Sequence, residues 1–327
     1  MSSPEYEQPS RPDPATWAVE QSVGRQRPEP PDGVRNDFQR DRDRLIHAKA
    51  FRRLMHKTQV FISPDGDHFR TRLTHTLEMM QISRTIARSL GLNEDLTEAI
   101  SLGHDLGHTP FGHTGEDALS RALHPHGRDF RHNEHSLRVV DHLERGGDGL
   151  NLTFEVRDGI RNHTGEVHPS TREGEIVRVA DRIAYVNHDV DDALRAGMIS
   201  PYDLPGGPIS TLGEQMSARI DTLVRDMISS SRAKGEISLS EEVYNALMEL
   251  RGWLFRNVYN NPDSRENRKA AGVVKNLFEY YLEHPEERTA SDPDPITGTI
   301  DFVAGMTDRY ALATYRKIFL PRGEIFA

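Results

Sequence analysis

The chain has 327 residues, a formal net charge of −10 and a pI near 5.9, and it contains no cysteine. A chain of this length can bury a sizeable core without covalent or metal cross-links. The lack of thiols excludes disulfides, thiolate zinc sites, iron–sulfur clusters and cysteine nucleophiles. The acidic charge disfavours a protein that coats nucleic acid, and a mean hydropathy of −0.66, with no run of about 18 apolar residues and no N-terminal signal pattern, predicts a cytoplasmic protein that does not cross a membrane.

The N-terminal segment, residues 1–35, holds seven of the 19 prolines and has almost no apolar periodicity. Such a segment cannot bury enough surface to offset its ordering entropy, so we expect a flexible tail, with an arm that contacts another subunit as the alternative. Residues 36–327 are expected to form one domain. Within it we expect a core over 45–195 and a C-terminal helical part over 210–327.

The rest of the chain predicts helix after helix. Apolar residues recur at helical spacing over 45–54 and over 73–90. Asn93, followed by two acidic residues, is typical of the cap of a third helix, which runs into His104 and Asp105. Further helices are predicted over 114–123, 133–145, 151–163, 173–196, 212–230, 239–259, 265–284 and 298–319.

Few segments predict anything other than helix. Residues 58–62 have the composition of a strand, and the Ser-Pro-Asp-Gly that follows them is typical of a turn. The proline-rich loop over 201–208 is the best candidate for an internal hinge, but helices resume directly after it. The predicted fold class is therefore all-α, a helical bundle with additional C-terminal helices and at most a short strand pair.

Four residues on separate predicted helices form a candidate divalent-metal site, namely His75, the adjacent pair His104 and Asp105, and Asp181. A buried His-Asp pair loses the hydration of both side chains, and a cation compensates both. Each of the four alone is more often an ordinary core or surface residue, so the set carries the prediction. Mixed nitrogen and oxygen ligation suits Mn, Mg, Fe, Co, Ni or Zn, and we expect manganese or magnesium first.

The sequence around these four residues resembles one known family. The similar segments are Phe-Arg-Arg-Leu-Met-His-Lys-Thr-Gln-Val at 51–60, Arg-Leu-Thr-His-Thr-Leu-Glu at 72–78, His-Asp-Leu-Gly-His-Thr-Pro-Phe-Gly-His at 104–113, and Ala-Asp-Arg-Ile-Ala-Tyr-Val-Asn-His-Asp at 180–189. In them the chain resembles the deoxynucleoside triphosphate (dNTP) triphosphohydrolases of the HD superfamily.

The resemblance covers residues 45–195 and implies an HD-domain helical bundle, a divalent metal, a dNTP substrate and a homo-oligomer, often a hexamer or tetramer. After about residue 200 the resemblance is thin, so the preferred base and control by an activator nucleotide stay open. Single-stranded DNA also stays open as a ligand, although the net charge does not indicate it.

Candidate catalytic residues follow the His-Asp pair. Half of the 16 histidines fall within residues 104–142, which indicates a site that needs imidazole. The glycine-rich stretch there predicts a tight loop that carries His113, and Glu116 lies one helical turn further on. A carboxylate so placed orients the ring and raises its basicity. The resemblance implies that His113 and Glu116 are catalytic and that His132 is a further active-site histidine.

The candidate substrate-binding residues extend from this site. Asp181, Tyr185 and Asp189 recur at a spacing of four and so share one helix face. The resemblance implies that Tyr185, Asp189 and Gln59 contact the deoxyribose, and His108 is added to the set.

Arginines supply charge for a triphosphate, which carries about four negative charges and needs several fixed cations. Arg72 and Arg182 lie close in sequence to predicted metal ligands. Arg251 and Tyr259 match the family's spacing for a phosphate-binding arginine and for a tyrosine that packs on the sugar, with little identity around them. Arg251 and Tyr259 complete the predicted substrate-binding set.

The expected reaction is metal-assisted attack of water on the α-phosphorus, which releases deoxynucleoside and intact triphosphate. His113, steered by Glu116, is expected to move a proton, either as base or as acid. Two alternatives stay open. One is a 5′-nucleotidase or other nucleotide phosphohydrolase of the HD type, which needs fewer arginines. The other is a regulator that binds nucleotides or single-stranded DNA and has weak catalysis.

Overall fold

The computed structural model describes residues 18–59, 69–259, 265–289 and 292–321. Within these ranges the chain forms 14 α-helices and no sheet, which confirms the all-α prediction. Its β pairing is confined to two isolated bridges, Arg25 with Thr153 and Thr58 with Thr71. Of the predicted strand over 58–62, Thr58 therefore forms one bridge, and 60–62 lie outside the described ranges. No helix in the described ranges has the length and apolar character needed to cross a bilayer.

The helices follow one another in chain order within the described ranges. They are α1 Asp37–Ile46, α2 Lys49–Arg53, α3 Arg72–Leu90, α4 Glu94–Gly103, α5 Gly112–Leu123, α6 His132–Arg138, α7 Phe154–Asn162, α8 Arg172–Arg195, α9 Gly206–Leu212, α10 Met216–Lys234, α11 Glu241–Leu254, α12 Arg265–Glu283, α13 Pro295–Ala304 and α14 Asp308–Phe319. A π-helical turn follows α6 and another, Phe255–Tyr259, follows α11.

Two of the predicted helices are divided, and another begins later than predicted. The helix predicted over 45–54 breaks between α1 and α2, because Ala48 has extended backbone angles. The helix predicted from residue 212 is preceded by the separate α9, and Gly213 between α9 and α10 has a φ of +117° that a helix cannot contain. The helix predicted over 298–319 is split where Thr307 turns extended and caps α14 with its side chain.

Two clusters of buried apolar residues hold the helices together. The larger cluster joins helices α1, α2, α3 and α4 to helices α7, α8, α10 and α11. The smaller cluster joins the loop before α5 and α5 itself to α12, α13 and α14. Because α3 packs on both α4 and α8, one residue from each of these helices can reach a common point.

Residues 18–35, part of the segment for which the sequence predicts a flexible tail, make polar contacts along the domain. Arg25 is buried, contacts the carboxylate of Asp41 and donates to the carbonyl of Asn151 at 2.7 Å. The backbone of Val23 donates to Glu155 at 2.6 Å. Apolar periodicity in the sequence does not indicate polar contacts of this kind. Residues 1–17 lie outside the described ranges.

Candidate active site

Three predicted metal ligands meet where α3, α4 and α8 converge. His75 lies on α3, His104 follows α4, and Asp181 lies on α8. His75 Nε2 is 3.0 Å and His104 Nε2 is 3.8 Å from Oδ1 of Asp181. The ligand atoms of these three residues, called the trio below, all lie within 4.8 Å of one another.

The trio has the donors that a divalent ion requires. His104 Nδ1 lies 2.7 Å from the carbonyl of Ser101, and a carbonyl only accepts, so Nδ1 carries the hydrogen and Nε2 carries a lone pair. This Nε2 is buried, and it has no hydrogen-bond partner within the described ranges. An oriented imidazole that turns an unpartnered lone pair toward a carboxylate is the arrangement of a metal ligand. The trio therefore fits the ion.

Asp105 lies beside the trio and is also bound by an arginine. Its Oδ2 is 3.5 Å from His104 Nε2 and accepts from Arg72 at 2.6 Å. Its carboxylate also clusters with the rings of His108 and His132. The buried charge of Arg72, predicted to bind phosphate, is thus paired here with a predicted metal ligand.

His188 contacts the ring nitrogen of His75 that does not face Asp181. The sequence reasoning missed this residue. The Nδ1 atoms of the two rings are 3.2 Å apart, and His188 Nε2 lies 3.4 Å from Oε2 of Glu78. Burial and the neighbouring His75 lower the pKa of His188 to about 2, so His188 is neutral and can accept from His75. The spacing of seven residues from Asp181 to His188, which places both on the same side of α8, could have marked it.

A relay of three side chains, the half-buried Glu116 and His132 and the buried His163, lies next to the trio. His132 Nδ1 is 2.9 and 3.0 Å from the two carboxylate oxygens of Glu116, and His132 Nε2 is 3.2 Å from Nε2 of His163. His163 Nδ1 donates to the carbonyl of Ile160 at 2.8 Å, so its Nε2 accepts. Both nitrogens of His132 therefore donate, and the ring is an imidazolium.

The electrostatics agree with this assignment. Burial, with the rings of His104 and His132 nearby, lowers the pKa of His163 to about 4. Burial also acts to lower the pKa of His132, but the charge and hydrogen bonds of Glu116 raise it above its ordinary value. Burial would raise the pKa of Glu116, but the neighbouring histidines hold it well below its ordinary range. Glu116, predicted to steer His113, therefore has His132 as its main partner.

The loop between α4 and α5 carries the predicted site residue His108, and the first turn of α5 carries His113, at a different depth. Both ring nitrogens of His108 are buried and form no hydrogen bond in the described part of the chain, although Nε2 lies 3.5 Å from Oε2 of Glu116; the ring stacks on that of His132 at 4.5 Å. Burial and the charge of Arg72 lower the pKa of His108 well below its ordinary value. His113 Nδ1 is 3.6 Å from Glu116, and 65% of its side chain is exposed. His108 thus lies inside the site and His113 at its mouth.

Glycine lets this loop approach α6. Gly107 N donates to the hydroxyl of Ser136 at 2.9 Å. A Cβ at Gly107 would lie 2.2 Å from the backbone nitrogen of Ser136. His163 meets His132 across the same region but lies outside the histidine-rich stretch of the sequence, so no signal marked it.

Four predicted substrate-binding residues gather along α8 and α11. Arg251 of α11 donates through Nε to the hydroxyl of Tyr185, and Tyr259 donates its hydroxyl to Asp189. The guanidinium of Arg251 also lies over the ring of Phe255, at 4.6 Å from its centroid. The structure thus brings Arg251 and Tyr259, which the sequence matched by spacing, against the face of α8 that carries Tyr185 and Asp189.

Gln59 and Arg182 complete the predicted set. Gln59 is buried, and its side-chain oxygen has no hydrogen-bond partner among the described residues. Its backbone carbonyl accepts from Arg72 at 3.4 Å, which places it next to Asp105. Arg182 is half-buried and forms no salt bridge within the described ranges. Both residues therefore keep groups that are free to meet a ligand.

Comparison with known proteins supports the same class of protein. Residues 72–186 match the family model for the HD domain, and residues 237–317 match that for the phosphohydrolase-associated domain. A deoxyguanosinetriphosphate triphosphohydrolase-like protein of Caldanaerobacter subterraneus subsp. tengcongensis is 56% identical over 308 residues, which cover 92% of this chain and 90% of the relative. Proteins with the same description from Desulfatibacillum aliphaticivorans, 48% identical over 92% of each chain, and Clostridium perfringens strain 13, 49% identical over 93% of this chain and 92% of the relative, also match.

The chain is therefore an HD-domain protein, and the HD domain implies a metal-dependent phosphohydrolase with a divalent ion. Within that class it belongs to the family of deoxyguanosinetriphosphate triphosphohydrolase-like proteins. The family resemblance found in the sequence is confirmed.

Proposed function

We propose that the chain hydrolyses dNTPs, dGTP among them, to deoxynucleoside and intact triphosphate. The observation that carries the proposal is that α8 contributes a residue both to the metal trio and to the proposed sugar-binding end of the site. Its Asp181 completes the trio with His75 and His104, and two turns further on its Asp189 contacts Tyr259. A phosphate at the trio and a sugar at Asp189 are parts of one nucleotide. The descriptions of the relatives support the same substrate.

The residues that would hold the ion are His75, His104 and Asp181, with Asp105 beside them. When bound, a divalent ion supplies a Lewis acid that polarises a phosphate oxygen and lowers the pKa of water. We propose manganese or magnesium, because an oxygen-rich substrate adds hard ligands to the mixed donors of the trio.

The protein's own groups stabilise charge and move a proton. His132, an imidazolium held by Glu116, is a fixed cation for the charge that builds on the phosphate oxygens. Within the described ranges the ring nitrogens of His108 form no hydrogen bond and the guanidinium of Arg182 forms no salt bridge, so both can meet the triphosphate chain. His113 lies at the exposed mouth, where it can pass a proton between the leaving 5′-oxygen and solvent.

The sugar end is built to accept hydroxyl hydrogens. Asp189 Oδ1 and Gln59 Oε1 are buried and, within the described ranges, without partners, so each can accept from a sugar hydroxyl. We assign Asp189 to the 3′-hydroxyl. Tyr185 and Tyr259 close the pocket around the ring, and Arg251 contacts phosphate from the Tyr185 side.

Assembly and control form a further part of the proposal and rest on the family resemblance. We propose a homo-oligomer, a hexamer or tetramer, that acts in the cytoplasm and responds to an activator nucleotide. Native mass spectrometry with and without a second dNTP tests the oligomeric state and its response to the activator nucleotide, because nucleotide-driven assembly changes the measured mass.

Chromatography of the products tests the proposed reaction. Purified protein is incubated with each dNTP and with Mn²⁺ or Mg²⁺, and equal amounts of deoxynucleoside and triphosphate are expected. Asp181→Asn should abolish turnover, whereas Asp191→Asn, the matched change on the same helix, should retain it. Orthophosphate released from dGMP, with no triphosphate from any dNTP, would instead identify a 5′-nucleotidase.

A further inference from the structure

The loop that carries His108 and leads into α5, where His113 is the second residue, ends in an unusual backbone turn. Phe111 has a φ of +62° and Gly112 a φ of +58°. Glycine adopts this left-handed conformation freely, but a bulky aromatic residue does so at an energetic cost. Phe111 is nevertheless buried in the smaller core cluster. Other contacts must therefore hold this turn, which sets the direction in which α5 begins and in which His113 leaves the loop.

A carboxylate from the C-terminal helices makes one such contact. Asp308, the first residue of α14, accepts the backbone N–H of Phe111 on Oδ1 and that of Thr58 on Oδ2, each at 2.9 Å. Charge-assisted hydrogen bonds of this kind are about twice as strong as neutral ones. One side chain therefore joins the turn that carries His113 to the segment that carries Gln59.

A second, separate contact joins the same parts. Lys57 is fully buried, and its Nζ donates to the carbonyl of His108 and, at 2.9 Å, to the carbonyl of Ala304 at the end of α13. Burial, with the charges of Arg53 and Arg72, lowers the pKa of Lys57 to about 7, and the charge of Asp308 opposes this shift. The loop is thus tied to both α13 and α14.

We propose that Asp308, assisted by Lys57, is a positioning residue that locks the left-handed turn at Phe111 and thereby fixes His113 and Gln59 for catalysis. Through Asp308, residues 237–317, which match the phosphohydrolase-associated domain, gain a role in the active site. Neither Asp308 nor Lys57 belongs to the metal trio. The expected effect on turnover rests on the proposed function, whereas the effect on the loop does not.

Asp308→Asn tests the proposal, because the amide keeps one acceptor oxygen and turns its NH2 group toward the other backbone N–H. Thr307→Ala is the matched control, since Thr307 caps the same helix by accepting from Tyr310 N at 3.2 Å and does not bond the loop. We expect Asp308→Asn to reduce kcat by on the order of 100-fold, because small misplacements of reacting groups have effects of that size. Mn²⁺ affinity should stay within about twofold, since the trio is untouched.

Hydrogen–deuterium exchange provides a readout that does not depend on turnover. The amides of Phe111 and Thr58 should exchange at least about tenfold faster in Asp308→Asn than in Thr307→Ala, because their acceptor is weakened. Lys57→Met is the second variant and should accelerate exchange around His108, because the carbonyls of His108 and Ala304 lose the donor that ties the loop to α13. Unchanged exchange in a folded Asp308→Asn, or in Lys57→Met if Asp308→Asn does not fold, would overturn the proposal. Full kcat in such a variant would also overturn it. If the wild type does not hydrolyse dNTPs, the proposed function fails, and exchange alone then decides whether these residues hold the turn.

Discussion

The carboxyl group of Asp189 should make the stability of this protein depend on pH. Asp189 is 2% exposed, its Oδ1 has no partner in the described ranges, and its Oδ2 accepts from Tyr259. Burial raises the pKa of Asp189 from 3.8 to about 7, against the opposing effect of the Tyr259 hydrogen bond. In the unfolded chain the same group ionises near its ordinary value. Folding therefore favours the protonated form.

The sign and size of the effect follow from this shift. Because the folded state holds the proton more tightly, its stabilising contribution is complete below pH 3.8 and is lost as the pH rises through about 7. A shift of about three pKa units, at about 1.4 kcal/mol each, gives about 4 kcal/mol as an upper limit for the loss. Asp189→Asn removes the ionisation, and its carbonyl can still accept from Tyr259. The variant should be more stable than the wild type by up to about 4 kcal/mol at pH 8 and by about 2 kcal/mol at pH 5.5.

Urea unfolding of both proteins between pH 5.5 and pH 8 measures this gap. Asp191→Asn is the control, since Asp191 lies two residues further along α8 and pairs with Arg70 at 2.9 Å. This control removes one negative charge without relieving a buried carboxylate, so no gain that grows with pH is expected. A gap between Asp189→Asn and the wild type that is equal at both pH values would refute the reasoning, as would a variant less stable than the wild type at pH 8.

Other residues of the site give shorter tests. His188→Asn should weaken Mn²⁺ binding by about 10- to 100-fold, because it removes the group that orients His75. The control His168→Asn changes an exposed histidine and should leave Mn²⁺ affinity unchanged. Calorimetric titration measures both affinities, and equal values would count against the role of His188. Glu116→Gln should lower the pKa of His132, because Glu116 raises that pKa against the effect of burial, and it should reduce kcat by about 100-fold or more. NMR titration of the His132 ring and steady-state kinetics measure these two effects. An unchanged titration would mean that Glu116 does not hold the imidazolium.

Local spacing predicted the parts of the site that lie on one helix. Asp181 and Asp189 share a face of α8 because the helical period fixes it, and the structure places both at the site. The rule that residues three apart are neighbours also paired His113 with Glu116. That ring is mostly exposed, however, and the carboxylate turns instead to His132, 16 residues away.

Contacts between distant segments could not be read from periodicity. Lys57 meets Ala304 across 247 positions, and neither residue has a pattern that indicates the other. Arg25 was assigned to a tail because its neighbours are polar, but in the structure it is buried and paired with Asp41. His163 joins the relay only because α6 and α7 pack together. Such pairings are set by tertiary packing.

Hydrolysis of dGTP in water enriched with heavy oxygen tests the central claim most directly. Attack on the α-phosphorus places the new oxygen on phosphorus and leaves the 5′-oxygen with the nucleoside. Mass spectrometry should therefore find one heavy oxygen in the triphosphate and none in the deoxyguanosine. Heavy oxygen in released orthophosphate, or in the deoxyguanosine, would contradict the account.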